Sequence, residues 1–264
     1  MFNVIPRARK RKRTERLLPF VRNEGMRLRG KMKKTIVIFG GSSGTGLAII
    51  KALSGEYHTV CASRTEPPAE AKAGQWLSCD VRRSEAVNSV FNAPHGEIYA
   101  VINCAATGAY APFSPEYHAY WQEIVDTSVM GAVNVMSATC KYAPQCEHLL
   151  TIGSVASRRP SPTPGNDIYA AAKTAVSRLQ EDFRLRLRQE GAAMRVTLLT
   201  PGYIEGTRFG ETFYRSNPEM QEPLFAAFQS LVPDDIAQAV LWCLSRPSHV
   251  EVSELVIRPR EQAC

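Results

Sequence analysis

Thr35-Ile36-Val37-Ile38-Phe39-Gly40-Gly41-Ser42-Ser43-Gly44-Thr45-Gly46-Leu47 is the stretch that decides the fold. Its first five residues are β-branched or aromatic and read as a buried strand. The glycine-rich turn that follows gives way to an apolar run from Leu47 to Leu53, which reads as a helix. Gly40, Gly44 and Gly46 lack the Cβ atoms that would hold the backbone away from a pyrophosphate, and the start of the helix offers unpaired N–H groups to such a ligand. A G-x-x-x-G-x-G spacing is weak by itself, since glycine turns serve many loops. It gains weight here by opening the first βα unit of an alternating chain.

Downstream, strand patterns at 59–62, 75–78, 98–102, 149–152, 195–199 and 254–257 are spaced by helical patterns at 84–91, 117–142, 169–189 and 233–244. Ser84-Glu85 and Pro233-Asp234-Asp235 read as helix starts. Strands separated by helices require right-handed crossovers, so the expected fold is α/β: a doubly wound, mostly parallel sheet (Rossmann fold) in a single domain covering residues 33–264.

Upstream, the composition changes. The first 34 residues hold thirteen Lys and Arg against Glu15 and Glu24, leaving 19 basic and 23 acidic residues in the remaining 230. The pI near 9.1 therefore belongs to the N-terminal segment. Its charge density and lack of an apolar period predict that residues 1–32 form a basic, disordered extension. The run from Arg7 to Arg16 is also of the kind that serves as a nucleic-acid, anionic-membrane or targeting patch. Met32 stands just before the first strand, and a start codon read too far upstream also accounts for the junction.

No stretch approaches the ~18 apolar residues of a membrane span, and Leu17-Leu18-Pro19-Phe20-Val21 is too short for a signal-peptide core. The expectation is a soluble, cytoplasmic protein without a membrane span. Seven scattered cysteines with no C-x-x-C suit a reducing compartment. Cys140, Cys146 and His148 form the one grouping that resembles ligands; without a second pair at metal spacing, no metal site is expected.

Tyr169-Ala-Ala-Ala-Lys173 places a phenol and an ammonium one turn apart on one helix face. A phenol titrates near ~10, and a neighbouring positive charge favours its ionised form. Lys173 is placed to lower the Tyr169 pKa. The plainer reading is a surface helix that carries Tyr and Lys four apart.

With these motifs in order, the chain resembles the short-chain dehydrogenase/reductase family over residues 33–260. The likeness is carried by Gly40/Gly44/Gly46, by Asn103-Cys104-Ala105-Ala106 after the fourth strand, by Ser154 in Thr151-Ile152-Gly153-Ser154-Val155, by Tyr169/Lys173, and by Pro201-Gly202. The C-terminal half, with Pro201 to Phe209, Leu231 to Ala237 and Arg246 to Val250, is similar to NADP-dependent 3-hydroxy acid (serine) dehydrogenases. The resemblance implies that Tyr169 exchanges a proton with the substrate oxygen, that Ser154 hydrogen-bonds that oxygen, and that Lys173 lowers the Tyr pKa and binds the nicotinamide ribose. It implies cofactor contacts from Gly40, Ser42, Ser43, Gly44, Thr45, Gly46, Ser63, Arg64, Asp80, Val81, Asn103, Ala105, Tyr169, Lys173, Pro201, Gly202, Ile204 and Thr207. It also implies a homodimer or homotetramer, because the long helices at 117–142 and 169–189 pair subunits in many members.

Four departures stand out. Ser128 occupies the place of the family's catalytic Asn, three residues before Gly131; a serine is shorter but still hydrogen-bonds in a proton relay. The span from Ser154 to Tyr169 is about two residues longer than usual and contains Arg158, Arg159 and three prolines, which reshapes one wall of the substrate site. Cys104 and Ala106 replace an Asn and a Gly of the cofactor floor. Phe39 takes the usual Thr position.

The cofactor expectation is NADP(H). Where an acid would accept the 2′-hydroxyl of NAD, the second strand ends in Ser63, and Arg64 follows with a guanidinium suited to a 2′-phosphate. One or two charge-assisted hydrogen bonds favour NADPH over NADH by roughly ten- to a thousand-fold. The expected activity is hydride transfer between a nicotinamide and a small alcohol or carbonyl compound, without nucleic acid bound to the folded domain. The substrate would lie under the segment from Tyr203 to Leu231, whose aromatics (Tyr203, Phe209, Phe213, Tyr214, Phe225, Phe228) read first as packing. Arg208 or Arg215 there is placed for a substrate carboxylate, as in a hydroxy acid. The alternative is a catalytically silent NADP(H)-binding sensor whose basic tail engages nucleic acid or membrane.

Overall fold

The computed structural model describes residues 33–71, 73–158, 165–215 and 228–262. The expectations for the basic extension, residues 1–32, lie outside the described residues, as do Arg159, Pro160, Pro162, Pro164, Phe225 and Cys264.

β1 (Thr35–Phe39) ends where its β-branched run ends, and α1 (Gly44–Leu53) starts inside the glycine turn, earlier than its apolar residues indicate. The chain continues through β2 (His58–Ser63), β3 (Gln75–Ser78), α2 (Ser84–Asn92) and β4 (Ile98–Asn103). α3 (His118–Ile124) passes through a π-helical turn, Val125–Met130, into α4 (Gly131–Tyr142). Then follow β5 (His148–Ile152), a 3-10 turn at Val155–Ser157, α5 (Asp167–Gln189), β6 (Arg195–Pro201), α6 (Arg208–Phe213), α7 (Pro233–Leu244) and β7 (Glu254–Ile257). Ser84 is the first residue of α2 rather than its cap; Arg83 holds the cap position without a side-chain bond. At α7 the expected start is made, with Pro233 in the first turn and the Asp235 carboxylate accepting the Val232 N–H at 2.9 Å.

The seven strands form one sheet in the order β3-β2-β1-β4-β5-β6-β7, with every pairing parallel. Strand order reverses between β1 and β4, and this switch point opens a crevice at the C-terminal strand ends. Both faces of the sheet are covered, as buried parallel strands require. Val37 and Phe39 of β1 face the core shared with α2, α4 and α5, while Ile36 and Ile38 face the core shared with α1 and α7. Phe39 is fully buried and packs on Phe91 at 5.9 Å, and burying such a side chain contributes roughly 1.5–3 kcal/mol. An aromatic at this position thus serves the core beneath the crevice. A third, smaller cluster sits over the strand ends, where Tyr169, Ala172 and Ile124 meet Phe213 and Tyr214.

Candidate active site

A cavity of about 920 Å³ lies at the C-terminal ends of the strands and is walled by the glycine turn, the ends of β2, β3, β5 and β6, the start of α5, and α6. Its glycines are required by close approach. Gly40 has φ 77°, and a Cβ there would lie 2.8 Å from the backbone of Ala105; a Cβ on Gly46 would lie 2.3 Å from the Gly40 carbonyl oxygen. Ser43 precedes α1 without a side-chain cap bond, so the helix start keeps donors for an anion. Gly40, Ser42, Ser43, Gly44, Thr45 and Gly46 all line the cavity, as expected, and this bare backbone cradle fits a pyrophosphate.

Further along the same wall, Arg64 is exposed and lines the cavity. Ser63 lines it too, though buried, with its hydroxyl donating to the Thr65 carbonyl at 2.7 Å. The Thr65 hydroxyl donates to the Ser42 hydroxyl here at 3.1 Å; both residues line the cavity, and Thr65 is not among the expected residues. Asp80 is held below the usual carboxylate range chiefly by hydrogen bonds from Arg82, with Arg64 adding to the effect. The adjoining Val81 carbonyl accepts from Asn134 Nδ2 at 2.8 Å, and a Cβ on Gly131 would lie 2.7 Å from Val81 Cγ2. Asn134 thus positions this wall from α4, where no local motif announced it. Ala105 lines the cavity, whereas Asn103 is buried beneath it and accepts the Ala105 N–H at 3.1 Å.

Ser154, Tyr169 and Lys173 meet at the inner end. Ser154 opens the 3-10 turn after β5 and accepts the Ala156 N–H at 3.2 Å, and its side chain hydrogen-bonds the Tyr169 phenol. Lys173 Nζ lies 5.8 Å from the Tyr169 ring centroid and donates to the Ile152 carbonyl at 3.0 Å. The expected lowering of the Tyr169 pKa by Lys173 is outweighed. Burial pushes the phenol up to about 12, against the Ser154 hydrogen bond, and no effect of Lys173 on it is resolved. The same burial pulls Lys173 down to about 8. At neutral pH the phenol is therefore protonated and ready to donate.

Ser128 does not reach this group. It is 3% exposed, sits in the π-helical turn, and donates to the Thr107 carbonyl over a long 3.4 Å. Its neighbour Thr127 in the same turn lines the cavity wall, and Ser128 does not. Thr107 and Asn166 are further polar wall residues beyond those expected.

The outer wall comes from the chain after β6. Pro201, Gly202, Ile204 and Thr207 line the cavity, with the Tyr203 N–H held by Gln262 Oε1 at 3.1 Å and Ile204 bridging to Leu231. α6 then lays Phe209 and Phe213 on Tyr169, with ring centroids at 5.4 and 6.0 Å. These aromatics pack the proton donor and line the cavity at once. Arg215 is committed elsewhere, to Glu123 at 2.8 Å and to the face of Tyr120 at 4.4 Å, and it does not line the cavity. Arg208 does. Arg158 also reaches the wall, paired with Glu254 of β7.

The profile of the short chain dehydrogenase family matches residues 34–217. The chain belongs to this family. It is 27% identical over 245 residues to dehydrogenase/reductase SDR family member 11 of Bos taurus, covering 86% of this chain and 96% of that protein. It is 28% identical over 244 residues to farnesol dehydrogenase of Aedes aegypti, again covering 86% of this chain and 96% of the relative. The fold is shared with the closed form of serine dehydrogenase complexed with NADP+, at TM-score 0.79 and 23% identity over 87% of this chain and 96% of that one.

Short-chain dehydrogenases use a nicotinamide cofactor, and the glycine turn, Ala105, Ser154, Tyr169, Lys173, Pro201 and Gly202 all line the cavity. Cys140, Cys146 and His148 do not form a ligand set: Cys146 Sγ donates to backbone carbonyls, and His148 is buried with Nε2 against Thr197 Oγ1 at 2.7 Å. Among the described residues no helix is long and apolar enough to cross a membrane.

Proposed function

We propose that this short-chain dehydrogenase is an NADP(H)-dependent oxidoreductase acting on a small alcohol or carbonyl compound. One observation carries the reading: Ser154, Tyr169 and Lys173 converge at one end of a cavity whose other end is lined by Arg64.

The cofactor supplies the hydride. The chain does the rest. Ser154 orients the substrate oxygen and the Tyr169 hydroxyl together, and Tyr169 donates its proton to that oxygen as the carbonyl is reduced, or accepts it in the oxidative direction. Lys173, anchored on Ile152, stands behind the phenol to hold the cofactor ribose and to favour the phenolate left by proton transfer. Phe209 and Phe213 close the outer side, excluding water from the phenol. Gly40, Gly44, Gly46 and the start of α1 hold the pyrophosphate, and Arg64, Ser42 and Thr65 stand where a 2′-phosphate would be recognised. The NADP+ in the complex of the similarly folded serine dehydrogenase supports the choice of cofactor.

NADPH oxidation followed over a panel of aldehydes, ketones and keto acids tests the proposal, with Tyr169→Phe as control. Turnover of at least one compound that depends on Tyr169 is the expected result. NADPH binding without turnover of any panel member in either direction would favour a silent cofactor-binding protein.

A further inference from the structure

Six charged side chains line the cavity: Arg64, Asp80, Arg158, Lys173, Arg208 and Arg258. Four have partners. Asp80 is paired with Arg82 and Arg158 with Glu254; Lys173 donates to the Ile152 carbonyl, and Arg258 has a partner of its own. Among the described residues Arg64 and Arg208 have neither an ion pair nor a side-chain hydrogen bond. The ligand proposed above carries two separate anionic centres, the 2′-phosphate and the bridging pyrophosphate. Arg64 stands at the end of β2, on the adenosine side. Arg208 stands elsewhere, and its position is fixed by its neighbours in sequence. Thr207 packs directly over the glycine turn, with its Cβ 3.3 Å from where a Cβ on Gly44 would sit. Phe209 packs on the ring of Tyr169 at 5.4 Å. Arg208 lies between them in sequence, is exposed and lines the same cavity.

We propose that Arg208 binds the bridging pyrophosphate of the dinucleotide from the side opposite the glycine turn and is thus a second phosphate-binding cation of the site. The inference rests on the proposed use of a nicotinamide dinucleotide. It gives α6 a second role. The helix whose Phe209 and Phe213 wall in the phenol is tied, through its first residue, to the cofactor, so cofactor binding braces the substrate wall. The competing role for Arg208, pairing with a substrate carboxylate, predicts a different pattern of loss.

The test measures dissociation constants of the full chain and of Arg208→Ala, Arg208→Lys and Arg64→Ala for NADPH, NADH and adenosine 2′-monophosphate, the last having no pyrophosphate. Arg208→Ala should weaken NADPH and NADH by the same factor, roughly 10- to 100-fold for one charge-assisted hydrogen bond. Adenosine 2′-monophosphate should bind as before, and Arg208→Lys should recover part of the loss. Arg64→Ala should weaken NADPH and adenosine 2′-monophosphate but leave NADH nearly unchanged. Unchanged dinucleotide binding in Arg208→Ala overturns the inference, as does a loss confined to the KM of keto acids. An equal loss for adenosine 2′-monophosphate in Arg208→Ala also overturns it, because the effect would then not be specific to pyrophosphate. Wild-type protein that binds neither dinucleotide would instead defeat the proposed function itself.

Discussion

At the phosphate end of the cavity the wall is backbone: Gly40 and Gly46 leave no room for a Cβ, and the start of α1 is uncapped. At the substrate end the wall is made of rings, with Phe209 and Phe213 brought onto Tyr169 from a helix about forty residues further along the chain. The ligand proposed for the phosphate end has a fixed shape, and close approach to it demands particular residue types in one short stretch. The substrate end encloses a buried phenol and a buried ammonium, and it depends on packing between distant elements. The difference separates two kinds of failure. Changes at the first end should act on cofactor binding, and changes at the second on the chemical step and on the cost of folding.

The largest expected effect lies at the chemical end. Tyr169→Phe keeps the ring contacts with Phe209 and Phe213 and removes the exchangeable proton. Turnover should fall by at least ~10²-fold, with kcat and kcat/KM reduced alike and NADPH affinity nearly intact. Steady-state kinetics together with a binding isotherm check this. Near-normal turnover would mean that the proton comes from another group, and the contrast between the two ends would collapse.

Next comes Arg64→Ala, which should lower the NADPH-to-NADH ratio of catalytic efficiencies by at least about tenfold through the loss of a charge-assisted hydrogen bond. The ratio is the useful readout because it cancels general damage to the site. An unchanged ratio would remove Arg64 from the cofactor wall and leave the adjacent Thr65 and Ser42 hydroxyls as its readers.

The substrate end should also cost stability, and pH exposes the cost. Burial holds Lys173 at about 8 in the folded protein, against an ordinary value of 10.5. Between these values the unfolded chain binds a proton that the folded chain does not, so stability rises as pH climbs from about 8 to about 10.5. Below pH 8 both states are protonated, and the penalty is constant. Tyr169, raised to about 12 from 10.0, works in the opposite sense at higher pH: the folded state keeps a proton that the unfolded state loses, and stability falls above about 10. Lys173→Met should therefore be more stable than wild type at pH 7, by roughly 1–3 kcal/mol for a shift of this size, and should lose the rise above pH 8. Denaturant melts at pH 7 and 9.5 decide it. A variant less stable at pH 7 would mean that the hydrogen bond to Ile152 outweighs the burial of charge.

The same contrast governs what could be read from residue order. β1, the glycine turn and the Tyr169/Lys173 pair are local patterns, and each lies where it was expected. α1 was placed late because Gly44, Thr45 and Gly46 carry no apolar signal, although the backbone is already helical there. The π-helical turn changes hydrogen-bond register without changing residue type, so nothing in Val125–Met130 announced that Thr127 rather than Ser128 would face the cavity. Ser63 lines the cavity from the end of its strand, and the bond from its hydroxyl to the Thr65 carbonyl is made by the turn of the chain itself, which residue order does not announce. α6, with six residues, is too short to show a period. The altered pKa of Tyr169 follows from burial that only the assembled fold provides.

The smallest expected effect concerns where the folded unit begins. Among the described residues, the contacts that anchor the start of β1 begin at Lys33. Its Nζ donates to the Gly55 carbonyl at 2.9 Å, while Lys34 pairs with Glu147 at 2.9 Å and lies 4.2 Å over the Tyr99 ring. Thr35, the first residue of β1, is already buried and bonded to the Glu97 carbonyl at 3.2 Å. Compact contacts divide the chain at the same place, with Lys33–Cys264 as one unit. A protein that begins at Met32 keeps all of these. The Lys34–Glu147 pair is solvent-exposed and worth little in any case, and among the described residues truncation removes no contact. Truncation to Met32 should therefore shift the Tm by no more than about 2 °C, the change corresponding to roughly half a kcal/mol in a domain of this size. It should also leave kcat and KM unchanged, because every residue assigned to either end of the cavity lies beyond it. Parallel melts and kinetics of the two proteins measure both quantities. A fall in Tm of many degrees, or a change in KM, would assign residues 1–31 a part in the fold or the site and would add a third region to the comparison.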